Sequence, residues 1–281
     1  MFKVIILSFF FSLSSLYAQI DSEKLEKLNV EALLVKDISS NRLIYEKEAN
    51  KKIYPASLTK IMTSILAIEQ GQLSRPVVIT EEMLQVEPTK AGYKEGEIYF
   101  LDDLVKAALI HSDNDAAMAV AIAVGGTLEN FIRMMNDKAV AIGMTNTLFT
   151  NPCGFDIGDH HSTPNDLLVL AEYSIKNSVF NAMTRLNQHS YYSLNTFRQM
   201  AVKTHNKLLD EYEYAVGVKT GYTSKAGPCL IARAQKEGKD CLIVMLNSKE
   251  NRWKIAKEIF EQVFISEPEI VATLEATKVQ F

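Results

Sequence analysis

The sequence predicts an α+β fold in which one antiparallel sheet is built from both ends of the chain. Strand-like segments occur early, over residues 31–46, and late, over residues 229–246. The residues between them show mostly the apolar spacing of helices. A sheet that joins the two ends therefore has flanking helices and a helical region inserted in its middle. A functional site is expected where the sheet and that region meet.

The first predicted elements are a β-hairpin and a helix. Strands are predicted over Glu31–Ile38 and Arg42–Glu46, because Ser39-Ser40-Asn41 between them is typical of a tight turn. A helix is then predicted to begin near Ser57 and to end before Gly71. Its apolar stripe consists of Leu58, Ile61, Met62, Ile65 and Leu66.

The central block is predicted to be helical. One helix is expected to begin at Ser112-Asp113-Asn114, after an apolar run. Thr127 is typical of an N-cap for a helix that runs to Gly143. Thr163-Pro164 is predicted to start another helix, because proline is favoured in a first turn.

After Lys219 the sequence predicts strands and then a final helix over Arg252–Val263. Two strands, Cys229–Ala234 and Cys241–Leu246, are predicted to form a hairpin that turns at residues 236–239. Antiparallel pairing would separate Cys229 and Cys241 by roughly 15 Å. A disulfide cannot bridge that distance, so these cysteines and Cys153 are interpreted as buried thiols.

The two ends of the chain carry no predicted part of the domain. Lys3, an apolar segment over Val4–Leu16 and the small residue Ala18 are typical of a secretory signal, so export to the periplasm or cell envelope is expected. We expect a signal peptide over 1–18, one domain over 19–268 and a short tail over 269–281. The tail is expected to hold neither a second β domain nor a C-terminal membrane anchor.

The charge balance argues against nucleic acid as a partner. The net charge is −4 for the whole chain, and losing the single positive charge of Lys3 with the signal gives −5. Proteins that bind nucleic acid carry a basic surface, which this composition does not suggest.

Ser57 and Lys60 are three residues apart at a predicted helix start, and residues with this spacing share a face. A serine hydroxyl is a poor nucleophile at neutral pH unless a neighbouring group takes its proton. Lysine can do so when burial or nearby cations lower its pKa. By itself the spacing is also typical of an exposed helix face.

Two further motifs follow in order. They are Ser112-Asp113-Asn114 and Lys219-Thr220-Gly221. With Ser57 and Lys60 they complete the Ser-x-x-Lys, Ser-x-Asn and Lys-Thr-Gly set. The chain therefore resembles the D-alanyl-D-alanine carboxypeptidases, the low-molecular-mass penicillin-binding proteins of peptidase family S11. The resemblance spans about residues 29–263 and includes Ala32–Asp37, Leu43–Lys47, Pro55–Thr63, Met144–Phe149, His161-Ser162-Thr163 and Lys219–Ala232.

This resemblance implies a β-lactamase/DD-peptidase-like fold and the removal of the terminal D-alanine from pentapeptide stems of peptidoglycan. Ser57 would form the acyl-enzyme and Lys60 would take its proton. Ser112 would relay a proton to the leaving D-alanine, and Asn114 would orient Lys60 and the substrate amide. β-Lactam antibiotics would acylate the same serine.

The third motif is expected by the same resemblance to bind the substrate. Lys219 would attract the terminal carboxylate with help from Thr220, and Gly221 would let the substrate backbone approach the strand. The N–H groups of Ser57 and Tyr222 would form the oxyanion hole.

Three residues depart from the family pattern. His205 stands where many relatives carry arginine, so a second carboxylate contact there would be weaker or pH-dependent. A surface histidine is an equal interpretation of this residue. Asp113 replaces a common glycine, and Pro228 is expected at a strand start or edge because it has no N–H. His160-His161 lacks the spacing of metal ligands, so neither a metal nor a cofactor is expected.

Two other functions remain open from the sequence. A class A β-lactamase shares the three motifs but needs a glutamate that activates water, and the nearest candidate, Glu172, is interpreted as a surface acid. A catalytically silent protein that binds peptidoglycan is the second alternative. The intact motifs argue against it.

Overall fold

The computed structural model describes residues 20–265. The predicted signal, residues 1–18, and the predicted tail, residues 269–281, lie outside this range. The strands are β1 (Val30–Asp37), β2 (Arg42–Lys47), β3 (Pro76–Val78), β4 (Ile98–Phe100), β5 (Gln188–Tyr192), β6 (Gln199–Lys203), β7 (Ala215–Thr223), β8 (Gly227–Lys236) and β9 (Lys239–Ser248). The helices are α1 (Ser22–Glu26), α2 (Lys60–Glu69), α3 (Glu81–Leu84), α4 (Leu101–Ile110), α5 (Asn114–Gly125), α6 (Leu128–Ile142), α7 (Pro164–Ile175), α8 (Ser178–Thr184), α9 (Leu208–Glu211) and α10 (Arg252–Phe264).

A five-stranded antiparallel sheet joins the two ends of the chain, as predicted. Its order is β2-β1-β9-β8-β7, so an early strand pairs directly with the last one. Cys241 lies opposite Ala234, at the far end of β8 from Cys229. All three cysteines are free and buried, which confirms their interpretation as thiols.

The sheet is buried on both faces, which the alternation of side chains along β1 makes visible. Ala32 and Leu34 belong to the core beneath the central helices, whereas Leu33 and Val35 face α1 and α10. Every residue of α2 from Lys60 to Ile68 is buried. This helix therefore lies at the centre of the core that contains Ala32 and Leu34.

Local sequence signals placed most helix ends correctly. The Thr127 side chain accepts a hydrogen bond from the Asn130 N–H, and α6 ends at Gly143 with φ +92°. Thr163 caps α7 in the same way. The final helix runs one residue beyond its predicted end, to Phe264.

The prediction that a helix begins near Ser57 needs correction. Residues Ala56–Thr59 form a single 3-10 turn, here called the Ser57 turn, and α2 begins only at Lys60. Ala56 has φ +49°, and the Leu58 N–H bonds the Pro55 carbonyl three residues back. This tighter spacing defines a 3-10 turn and places Ser57 ahead of the α-helix.

Two short ribbons were not predicted. β3 pairs with β4, and β5 pairs with β6. Within residues 20–265, no single helix is long and apolar enough to cross a membrane, and only the α5–α6 pair, bent by 86°, reaches that length and composition together.

Candidate active site

Lys60 connects three parts of the chain through its amine. Nζ lies 3.0 Å from Ser57 Oγ, 2.7 Å from Asn114 Oδ1 and 2.7 Å from the Cys153 carbonyl oxygen. The side chain is completely buried. The structure thus brings Ser57, Lys60 and Asn114 together as the sequence predicted.

The partners of Lys60 fit a neutral amine that acts as a base. The Asn114 side-chain N–H₂ donates to the Glu87 carbonyl at 2.9 Å, which turns Oδ1 toward Lys60. Both Asn114 Oδ1 and the Cys153 carbonyl are pure acceptors, so they use the two N–H groups of a neutral amine. Its lone pair is then left for the hydroxyl proton of Ser57.

Burial makes that neutral form accessible. Desolvation lowers the pKa of Lys60 to about 8, although the electrostatic effects of Cys153, Asp113 and Asp115 oppose this shift. A lysine with a pKa near the working pH can both accept and return a proton.

A loop that sequence reasoning did not single out holds Lys60 in place. Within Asn151–Phe155, here called the Cys153 loop, Asn151 Oδ1 accepts from the N–H groups of Cys153, Gly154 and Phe155 at 3.2, 2.8 and 3.0 Å. The Thr63 hydroxyl donates to the Pro152 carbonyl at 2.7 Å. The Asn-Pro and glycine composition was a turn signal, but nothing in it marked the Cys153 carbonyl as a partner of Lys60.

His160 forms a hydrogen bond with Thr59, the last residue of the Ser57 turn. Its Nδ1 accepts from the Thr150 N–H at 3.0 Å, so Nε2 carries the proton and donates to Thr59 Oγ1 at 2.9 Å. Burial lowers the pKa of His160 to about 4, which favours this neutral form. Among residues 20–265, no group of three or more metal-binding side chains is placed to hold an ion.

Ser112 faces the same cavity as Ser57. The cavity has a volume of about 250 Å³, and Asn114, Cys153, Tyr222 and Thr223 also contribute to its lining. Ser112 adopts φ +70°, which is uncommon for a residue with a side chain. The second motif therefore lies beside Ser57, with Asn114 as the first residue of α5.

The third motif lies on β7, at the edge of the sheet. A Cβ on Gly221 would stand 3.2 Å from the Ala56 Cβ and 3.3 Å from the Ser57 nitrogen, so the strand passes directly beside the Ser57 turn. Tyr222 is paired with Pro228, the second residue of β8, which confirms the expected position of this proline. Pro228 has no N–H for the ladder, which favours an arrangement in which the Tyr222 N–H faces the open edge.

Lys219 and Thr220 are buried, and neither lines the cavity that Ser57 and Ser112 share. They border a separate small cavity with Thr204 and Asn206. Lys219 Nζ donates to the Thr220 carbonyl at 2.9 Å and makes no ion pair among the described residues. Burial, then the charge of Lys60, holds the pKa of Lys219 well below its ordinary value.

His205 is an exposed residue near Lys219. Its ring packs on that of His111 with a centroid distance of 4.4 Å. Desolvation and the charges of His111, Lys219 and Arg252 lower the pKa of His205.

Sequence reasoning did not single out Arg252, which donates to the carbonyls of Gly221 and Cys229 at 3.2 and 2.8 Å.

Comparison with known proteins gives a consistent result. The model of peptidase family S11, described as D-alanyl-D-alanine carboxypeptidase, matches residues 19–250. D-alanyl-D-alanine carboxypeptidase DacF of Bacillus subtilis (strain 168) is 31% identical over 255 residues, which cover 86% of this chain and 65% of that protein. D-alanyl-D-alanine carboxypeptidase DacB2 of Mycobacterium tuberculosis is 30% identical over 243 residues, which cover 84% of this chain and 82% of that protein.

A solved structure shares the fold. The Streptomyces K15 DD-transpeptidase matches with a TM-score of 0.80 and 27% identity, over 84% of this chain and 97% of that one. The predicted α+β, DD-peptidase-like fold is therefore confirmed. The chain belongs to the D-alanyl-D-alanine carboxypeptidase family, peptidase family S11.

Proposed function

We propose that the protein is a serine-type D-Ala-D-Ala carboxypeptidase that acts on the peptide stems of peptidoglycan and is acylated by β-lactams. The observation that carries the proposal is the 3.0 Å contact between Lys60 Nζ and Ser57 Oγ. The other two partners of the amine, Asn114 Oδ1 and the Cys153 carbonyl, accept hydrogen bonds from it. An ordinary surface pair would not be buried and tied in this way.

In the proposed acylation, Ser57 Oγ attacks the carbonyl carbon of the penultimate D-alanine and Lys60 takes the hydroxyl proton. The N–H groups of Ser57 and Tyr222 would stabilise the oxyanion. Ser112 then passes a proton to the nitrogen of the terminal D-alanine as the C–N bond breaks. Water hydrolyses the acyl-enzyme in a second step.

Lys219 and Thr220 would recognise the terminal carboxylate, with His205 as a second contact. Burial without an anionic partner disfavours the charged form of Lys219, so a substrate carboxylate would stabilise its ammonium. Since the chain spans 65% of the length of the B. subtilis relative, activity and partners are inferred for this chain from its own site. The signal-like N-terminal sequence supports action in the cell envelope.

The rival β-lactamase function is disfavoured by the position of Glu172. This carboxylate pairs with Lys36 at 2.5 Å and borders a different cavity together with Ile38 and Arg233. Glu172 is therefore not available to activate water near Ser57.

Labelling with a fluorescent penicillin, combined with a D-alanine release assay, tests the proposal. Durable label on Ser57 and release of D-alanine from a D-Ala-D-Ala peptide are expected. Ser57→Ala should abolish both, whereas Ser224→Ala, which removes an exposed serine from the turn after β7, should leave both unchanged. Rapid loss of label without D-alanine release would favour a β-lactamase, and no label would favour a silent binding protein.

A further inference from the structure

The two residues on either side of Ser112 are bonded to each other. His111 Nδ1 lies 2.7 Å from Asp113 Oδ1. With Asp113 ionised, only the Nδ1–H of the imidazole can donate in this contact. That proton is present in the cationic ring and in one neutral tautomer, so the bond can survive deprotonation of His111.

The residue between them has a backbone that needs support. Ser112 has φ +70°, in the left-handed region, where a residue with a Cβ is disfavoured by about 1 kcal/mol or more. Such a conformation persists when the surrounding structure fixes it. The His111–Asp113 bond closes a short bridge across Ser112 and thereby restrains its backbone.

The buried partner in this bridge is Asp113. Asp113 is fully buried, and its N–H bonds the Ala107 carbonyl at 3.4 Å. Its second oxygen, Oδ2, is buried without a partner among the described residues. Leaving a carboxylate oxygen unsatisfied is costly, which indicates that Asp113 has a role beyond stabilising the fold. His111 keeps 30% of its side chain exposed and packs on His205.

We propose that His111 and Asp113 form a positioning clamp that holds the Ser112 hydroxyl where it can protonate the leaving nitrogen. The proposal rests on the proposed function. In that step Lys60 gives a proton to Ser112 Oγ while Ser112 gives its own proton to the nitrogen. The electron pair of the breaking C–N bond becomes the lone pair that accepts this proton, so D-alanine leaves as a neutral amine and Lys60 returns to its neutral form.

Two substrates with the same acyl group test the clamp. One releases D-alanine through an amide, and the other releases a thiolate through a thiolester. The amide nitrogen must be protonated as it leaves, whereas a thiolate is a weak base and leaves without a proton. His111→Ala and Asp113→Ala should therefore slow the amide substrate roughly ten- to a hundredfold, as expected for a displaced catalytic group. The thiolester should change by no more than about threefold.

The chain offers a matched control and a conservative variant. His189 Nε2 lies 2.7 Å from Asp103 Oδ1, the same contact at another place, so His189→Gln should lower thermal stability without changing the ratio of amide to thiolester turnover. Asp113→Asn keeps an acceptor for the imidazole and should recover much of the amide activity. If Asp113→Ala fails to fold, the partly exposed His111→Ala gives the same comparison.

An equal loss on both substrates would reduce the pair to structural support and overturn the clamp. Unchanged amide turnover in both alanine variants would overturn it as well. If the unmodified enzyme turns over neither substrate, the proposed function itself is wrong and the clamp fails with it.

Discussion

Gly154 lies directly against Ala56. A Cβ on residue 154 would stand 1.8 Å from the Ala56 carbonyl oxygen and 3.0 Å from the Ser57 nitrogen. Gly154 also has φ +91°, a conformation that favours glycine. The Cys153 loop and the Ser57 turn can therefore pack this closely only with glycine at this position.

Gly154→Ala is expected to separate the two segments and pull the Cys153 carbonyl away from Lys60. Penicillin acylation should fall at least tenfold, because a small misplacement of a catalytic group has a large effect on rate. Gly158→Ala is the control, since Gly158 also has positive φ but meets only Thr150 Cγ2 at 4.0 Å. Stopped-flow acylation of both variants would measure this, and similar rates would contradict the packing argument.

Local signals made most of the fold predictable. Caps such as Thr127 and Thr163 act within one turn, and the hairpin around residues 236–239 joins two apolar runs. The ribbons β3–β4 and β5–β6 were not predicted, because strands of three and five residues show too little alternation of apolar and polar side chains. They are defined by contacts between distant parts of the chain.

The site was predictable where its chemistry lies in side chains at fixed spacing. Ser57, Lys60 and Asn114 meet as expected, but the third partner of Lys60 is the carbonyl of Cys153, and every residue has a carbonyl. The contact between His111 and Asp113 could not be predicted from the sequence either. It depends on the conformation of Ser112 between them, which has positive φ.

The pH dependence of acylation should follow the protonation of Lys60. Only the neutral amine can take the Ser57 proton, and burial lowers its pKa to about 8. The second-order rate constant for penicillin should therefore rise about tenfold per pH unit below this value and level off above it. Lys225→Ala, which removes an exposed lysine near the site, should leave the profile unchanged. A flat profile between pH 6 and 9 would contradict a lysine base.

Acid should destabilise the protein partly through Glu97. Arg198 bonds both oxygens of this buried carboxylate at 2.6 Å. The hydrogen bond from Arg198 is the largest cause that lowers the pKa of Glu97 from 4.5 to about 2. Because the folded pKa is the lower one, the stabilisation is complete above about pH 4.5 and is lost as the pH falls toward 2.

Glu97→Gln should remove this component, which is worth roughly 3 kcal/mol at neutral pH. Urea unfolding at several pH values would compare the variant with the unmodified protein, and Glu95→Gln provides an exposed control. The difference in unfolding free energy between Glu97→Gln and the unmodified protein should shrink between pH 4.5 and 2. A difference that stays constant over this range would show that the carboxylate charge is not the cause.

Lys219 should decide whether the enzyme distinguishes a free C-terminus from an internal amide. Its side-chain nitrogen is buried, bonds only the Thr220 carbonyl and has no carboxylate partner among the described residues. Loss of a charge-assisted contact with the substrate costs roughly 1.5–3 kcal/mol. Lys219→Gln should thus lower kcat/KM for a D-Ala-D-Ala peptide about ten- to a hundredfold, since about 1.4 kcal/mol corresponds to a factor of ten.

The same peptide with an amidated C-terminus separates recognition from catalysis. It should already be a poor substrate for the unmodified enzyme, because it offers Lys219 no charge, and it should lose much less on the Lys219→Gln substitution. Lys225→Gln removes a nearby exposed lysine and should affect neither peptide. If the acid and the amide fall by the same factor, Lys219 acts through Ser57 and Lys60 instead of binding the carboxylate. Besides burial, the charge of Lys60 already lowers the pKa of Lys219, so the two lysines are electrostatically linked.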